Sequence, residues 1–145
     1  MDEREVRENS LALVESSMIA MVGSLGTAGE PQIKAMMVAE HHGLTEIWFS
    51  TNTSSEHVGQ LSVDPRACVY FAQWEKEPWR GLMLVGRMEV LRDPASRERL
   101  WEDGCERYYP KGVDDPDYTV LRFRGEWAKY YQYGTHLRFD LRTDG

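Results

Sequence analysis

At 145 residues, 41% of them hydrophobic, the chain has the size and apolar content of one packed domain spanning 1–145, which excludes disorder along its length. Seventeen Lys and Arg against 24 Asp and Glu give a formal net charge of −7, and the basic residues are scattered, so a nucleic-acid backbone finds no basic stripe. No apolar run approaches the roughly 20 residues needed to cross a bilayer, and no membrane partner is expected.

The apolar spacing predicts a helix over 3–17, with Val6, Leu13 and Val14 on one face and no Gly or Pro inside. The period then changes. Residues 18–25 are apolar and small, Gly26-Thr27-Ala28-Gly29-Glu30-Pro31 is a turn signal, and 32–40 resumes as a second strand, so the pair forms a hairpin. Residues 44–50 give a third strand with Ile47 and Phe49 on one side and Trp48 on the other. A short helix over 54–63 is stopped by Asp64-Pro65.

In 66–72, Ala67, Val69 and Phe71 alternate with Cys68, Tyr70 and Ala72. Both sides are apolar or aromatic, as in a strand with core on one face and a subunit contact on the other. After a polar link, 81–92 is the longest strand candidate, and Pro94 opens a helix through about 104. Tyr108 to Gly112 and Asp114 to Asp117 have loop chemistry. Residues 119–124 and 126–131 read as two strands, and Leu137, Phe139 and Leu141 alternate with His136, Arg138 and Asp140. Six or seven strands, short links and brief helices predict a mainly β fold, a closed antiparallel sheet without the crossover helices of a parallel one.

The densest polar cluster is Thr51-Asn52-Thr53-Ser54-Ser55, between a strand end and a helix start. Four hydroxyls and an amide at the unpaired N–H groups of a helix suit a dianionic phosphate, with His57 one turn in as a further donor. Thr53-Ser54-Ser55-Glu56 also fits a capping box, with Thr53 as N-cap and Glu56 reaching back. Both readings stand. Lys34 lies among the apolar or small residues Ile33, Ala35, Met36, Met37 and Val38. It is either a snorkelling side chain or a fixed cation aimed at a phosphate or a ring carbonyl.

His41, His42, His57 and His136 show no metal-ligand spacing, and His41-His42 before Gly43 read as an exposed hairpin turn. Asp114, Asp115 and Asp117 around Pro116 read as a solvated loop. Cys68 and Cys105 form no Cys-x-x-Cys pair, which sets aside a disulfide framework and a zinc ribbon. With the charged start Met1-Asp2-Glu3-Arg4-Glu5, unlike a secretory signal, the expected location is the cytoplasm.

Taken in order, Gly29-Glu30-Pro31-Gln32-Ile33-Lys34-Ala35-Met36, Ile47-Trp48-Phe49-Ser50-Thr51-Asn52-Thr53-Ser54-Ser55, Asp64-Pro65-Arg66-Ala67-Cys68-Val69-Tyr70-Phe71 and Tyr109-Pro110-Lys111-Gly112-Val113-Asp114-Asp115-Pro116 carry a resemblance. The chain resembles the pyridoxamine 5′-phosphate oxidase-like family of FMN-binding split barrels, in its general stress protein branch, from about residue 11 to 141.

The resemblance implies a Greek-key antiparallel split barrel with a few short helices, FMN as cofactor and a cytoplasmic homodimer with the flavin at the subunit interface. It places Lys34 on the flavin, the backbone of Ala35 and Met36 against the ring, and Ser50, Thr51, Ser54 and Ser55 at ring edge and phosphate. His57 stands where the family usually has Lys or Arg, preceded by Glu56, a change that weakens phosphate binding near neutral pH. Trp74, Trp79, Trp101 and Trp127 are candidates to cover the ring from the second chain.

The function so implied is an FMN-dependent oxidoreductase passing hydride or electrons to a small molecule, with NADH or NADPH as a possible donor. No acid or base is named, and true pyridoxamine-phosphate oxidation lacks a basic pair for a second phosphate. The alternatives are a flavin-binding stress protein without turnover and a split barrel binding haem or the deazaflavin F420.

Overall fold

The computed structural model describes residues 1–142. Helix α1 (Glu3–Glu15) starts where the Asp2 carboxylate accepts from the Glu5 N–H at 2.8 Å, and it buries Val6, Ser10, Leu13 and Val14. It stops two residues short of the predicted end. The Ser16 and Ser17 hydroxyls both donate to the Leu13 carbonyl there, satisfying a terminal acceptor that the next turn would otherwise take.

Strands β1 (Ile19–Leu25) and β2 (Pro31–Met37) form the expected hairpin. The second strand does not run on to residue 40. At Val38 the backbone still donates to Met18 beside β1, whereas the Ala39 N–H donates to Trp48 in another strand. The chain changes partners at this step and starts a new strand, β3 (Glu40–His42), paired with β4 (Glu46–Asn52). His41 and His42 therefore belong to a strand, with the turn itself at Gly43, whose φ of 55° suits glycine.

Helix α2 (Glu56–Val63) follows, then β5 (Arg66–Gln73), β6 (Arg80–Leu91) and α3 (Pro94–Leu100). α3 is shorter than the predicted 94–104. Trp101 is already extended, and the chain continues through 3-10 turns at Cys105–Arg107 and Gly112–Asp114. The two strands expected over 119–131 are one, β7 (Tyr118–Gln132), and β8 (Thr135–Asp140) ends the sheet. A register shift between Val85 and Gly86 leaves Glu126 without a register partner in β6, so a bulge replaces the expected break.

Among the described residues the sheet thus has eight strands, more than the six or seven expected, in the order β2-β1-β5-β6-β7-β4-β3, with β8 beside the second half of β7. Every pairing is antiparallel. The two ends of this path, β2 and β3, are neighbours along the chain, so the sheet curls back on itself as a split barrel.

Inside lie Val22, Ile47, Phe49, Val69, Phe71, Leu82, Leu84, Leu121 and Phe123, all buried. Trp48 faces the other way, as expected, into a smaller cluster with Leu100, Tyr109, Tyr118 and Val120. No helix among the described residues is long and apolar enough to cross a membrane.

Candidate functional site

Strand alternation and register place the predicted site residues. On β2, Lys34 sits opposite Val22 and Met36 opposite Ala20, so both project towards the inner side of the sheet. Ala35 sits opposite Met21 on the outer side, and only its backbone can approach a ligand in the cleft. On β4, Thr51 shares the inner side with Ile47 and Phe49 and is buried, whereas Ser50 is exposed on the opposite side. Ser50 lines a second cavity of about 630 Å³ beneath the segment Arg99 to Tyr109. The side chains of Ser50 and Thr51 thus point to different sides of the sheet, because a strand turns successive side chains to opposite faces.

The β4–α2 turn is also built differently from a capping box. Thr53 bonds through its hydroxyl to Thr119, not to its own helix. Ser55 is the N-cap residue, and its side chain makes no cap hydrogen bond. Glu56 does not reach back; its Oε1 accepts from Gln60 Nε2 at 3.1 Å, one turn along the helix. Ser54 is exposed, and its N–H is occupied by Asp117 Oδ1 at 2.8 Å.

Asp117, which the sequence reads as part of a solvated loop, is instead bonded to this turn. Its Oδ2 accepts from Asn52 Nδ2 at 2.8 Å, and its carbonyl accepts from the Thr53 N–H at 2.7 Å, so one residue holds the whole turn. Those hydrogen bonds, that of Asn52 first, hold its carboxyl below the usual carboxylate range. Nor is Asp115 solvated: it is buried and accepts from the Lys111 and Asp117 N–H groups. The acidic signal was visible in the sequence, but its target lies across the β4–β7 pairing.

These elements enclose a cleft of about 380 Å³ whose lining includes Gln32, Lys34, Met36, Ser55, Glu56 and His57. His57 Nε2 lies 3.3 Å from Thr51 Oγ1. Burial, and then the Lys34 ammonium, push the imidazole pKa below its ordinary 6.5. Of the eight predicted residues, the cleft gathers Lys34, Met36, Ser55 and His57, with Thr51 bonded to His57; Ala35, Ser50 and Ser54 do not line it.

A cation, a hydroxyl, an imidazole and the unpaired N–H groups of a first helical turn form a donor set for a phosphate-bearing group. Glu56 is the discordant charge. Among the described residues, no group of three or more His, Cys, Asp and Glu is arranged to hold a metal ion. Of the four candidate tryptophans, Trp74 and Trp79 stay 69% and 50% exposed. Trp101 packs edge-on to Tyr118 at 5.2 Å, and Trp127 lies under the Arg138 guanidinium at 3.8 Å.

Residues 5–142 match the family described as pyridoxamine 5′-phosphate oxidase like. The chain belongs to the pyridoxamine 5′-phosphate oxidase-like family. Among solved structures, this family member is similar to a Clostridium acetobutylicum protein related to general stress protein 26 of B. subtilis. The two are 48% identical, with a TM-score of 0.83 and 99% of each chain covered.

A haem-binding protein from Mycobacterium smegmatis (19% identity, TM-score 0.76, 93% of this chain and 57% of that one) shares the fold. So does an F420 reductase (20% identity, TM-score 0.59, 79% of this chain and 90% of that one). The search of curated proteins returned no match to this pyridoxamine 5′-phosphate oxidase-like chain.

Proposed function

We propose that this chain is an FMN-binding oxidoreductase of its family, with the FMN phosphate at the start of α2 and the ring running along β2. The observation that carries the reading is the convergence of Lys34, Ser55 and His57 on one cleft at an uncapped helix N-terminus. The donor set fits the phosphate of such a cofactor. Lys34 supplies the charge-assisted contact, and Ser55 with the first N–H groups of α2 supplies neutral donors. Met36 gives the ring an apolar wall, and Thr51 orients the His57 imidazole.

Bound flavin supplies the redox chemistry by accepting and returning a hydride. The protein's part is to fix the ring, exclude water from its buried side and keep the other side open to a small substrate. NADH or NADPH is the donor to be tried first.

The same reading includes a homodimer. Ile19, Met21, Ile33 and Met37 are exposed on one side of the β1–β2 hairpin, and the register continues them into Tyr70 and Met83. An apolar sheet face of this kind marks an interaction surface, and a second copy would cover it. Sedimentation at micromolar concentration should give a dimer; a monomer would remove this part of the reading.

The test of the cofactor is the absorbance spectrum of the protein as isolated, with mass spectrometry of the released ligand. Neighbours of the fold are named for haem binding and for F420 reduction. A Soret band or a deazaflavin mass would therefore replace the FMN assignment. A flavin spectrum that NADH and NADPH leave oxidised would instead favour a binding protein without turnover.

A further inference from the structure

We propose that His57 takes up a proton when a phosphate enters the cleft, so that the site holds its phosphate by a proton-coupled contact rather than by fixed cations alone. The proposal rests on the flavin-phosphate reading above and adds the charge state in which that ligand is bound.

The cleft that the imidazole lines holds few charges. From β2 comes the Lys34 ammonium, and from the first turn of α2 comes the Glu56 carboxylate. β1 contributes only Val22 and Ser24, and β4 the Thr51 hydroxyl. Asp117, at the start of β7, lies behind the β4–α2 turn with its carboxylate committed to Asn52 and Ser54.

At neutral pH, Lys34 and Glu56 cancel, and His57 is uncharged because its burial and the neighbouring ammonium disfavour imidazolium. A phosphate monoester, with a second pKa of about 6, enters as a near-dianion. What meets it is the start of α2, worth about half an elementary charge. The cleft is short of positive charge.

His57 is the group able to supply it. Its ring lines the cleft, and its Nε2 lies 3.3 Å from the Thr51 hydroxyl, which can turn to accept once that nitrogen is protonated. An opposite charge within about 4–6 Å moves a titration by about one to three pH units towards the charged form. That opposes the burial and the Lys34 ammonium, which lower the imidazole in the empty cleft, and moves it back towards the charged form beside the phosphate. The proton comes from solvent, no covalent bond changes, and the loaded cleft then holds two cations against Glu56 and the phosphate.

Isothermal titration of the whole protein with FMN, in two buffers of different ionisation enthalpy, counts the protons exchanged. Between about pH 7 and pH 8, up to one proton should enter per FMN bound, with affinity falling by up to about tenfold over the unit. Riboflavin, which lacks the phosphate, should bind without uptake.

His57→Lys supplies a permanent cation, and its FMN binding should lose both the uptake and the pH slope. Flat affinity without proton uptake in the native protein would overturn the proposal and leave the flavin site standing. Undiminished uptake in His57→Lys would overturn it equally. Failure to bind FMN anywhere in this range would remove the flavin reading itself, and the proposal with it.

Discussion

The starts of α2 and α3 follow a strand by similar routes and are finished in opposite ways. At α3, Asp93 accepts from the Ser96 N–H at 3.0 Å and from its hydroxyl at 2.9 Å, closing the end with the chain's own carboxylate. At α2, the Ser55 side chain leaves the first turn uncapped, and Asp117 binds the turn before the helix instead of the helix itself. A capped end contributes to stability alone. An end held in shape from behind and left open in front is available to a ligand, which is why the same local chemistry reads as structure at one helix and as a site at the other.

The largest effect that sharpens this comparison is at Lys34. It is exposed at the cleft and makes no ion pair with a carboxylate among the described residues. Lys34→Ala should weaken FMN binding by about tenfold to a hundredfold, the range for a lost charged hydrogen bond, and leave the melting temperature unchanged. Flavin fluorescence titration and thermal melts on the same preparation measure both; equal titration curves would break the assignment. Next comes the double variant Glu56→Ser with His57→Lys. It removes the carboxylate and fixes a cation, and FMN should bind at least about tenfold tighter at neutral pH. Unchanged affinity would place the phosphate elsewhere.

Much of the framework was legible because its signals are local. The alternation of Ala67, Val69 and Phe71 against Cys68 and Tyr70, and of Ile47 and Phe49 against Trp48, is a period of two that a strand writes directly into sequence. What was not legible depends on partners far along the chain. Thr53 looks like a helix cap until β4 pairs with β7 and brings Thr119 beside it. Asp117 looks solvated until the same pairing sets it against Asn52 and Ser54.

Gly125 resembles a strand end, yet an added Cβ there would lie 2.8 Å from Leu141 Cδ1. It is a close approach inside a bulged strand. In the cleft, Lys34, Ser55 and His57 come together from separate elements, a proximity that residue type alone leaves open. Ser50 lies away from that cleft because adjacency in a strand means opposite faces.

Asp117 offers the next, smaller test. In Asp117→Asn one acceptor oxygen remains, but the amide brings donors to where Asn52 and Ser54 already donate, so the turn should loosen. FMN affinity should fall about threefold to tenfold, as for one neutral hydrogen bond disturbed at a distance. Amide exchange at Thr53 and Ser54 should accelerate in the same variant. A role confined to stability would lower the melting point and leave the titration curve where it was.

The smallest effect is the control at the closed helix. Asp93→Ala removes the α3 cap, so the melting temperature should drop by a few degrees while FMN affinity stays fixed. The pH dependence gives the sign independently. The Ser96 side chain and then its N–H hold the Asp93 carboxyl below the usual carboxylate range. A depressed folded-state pKa stabilises the native state at pH values above the unfolded value of about 4, and that contribution is lost as pH falls through the folded one.

The native protein should therefore lose melting temperature below about pH 4, and Asp93→Ala should lose less of it over the same interval. Asp117, depressed by the Asn52 and Ser54 bonds, contributes to the same acid limb, so Asp117→Asn should flatten it as well. If only Asp117→Asn also moves the FMN titration at neutral pH, the two carboxylates separate as the geometry separates them. One closes a helix, and the other shapes an opening.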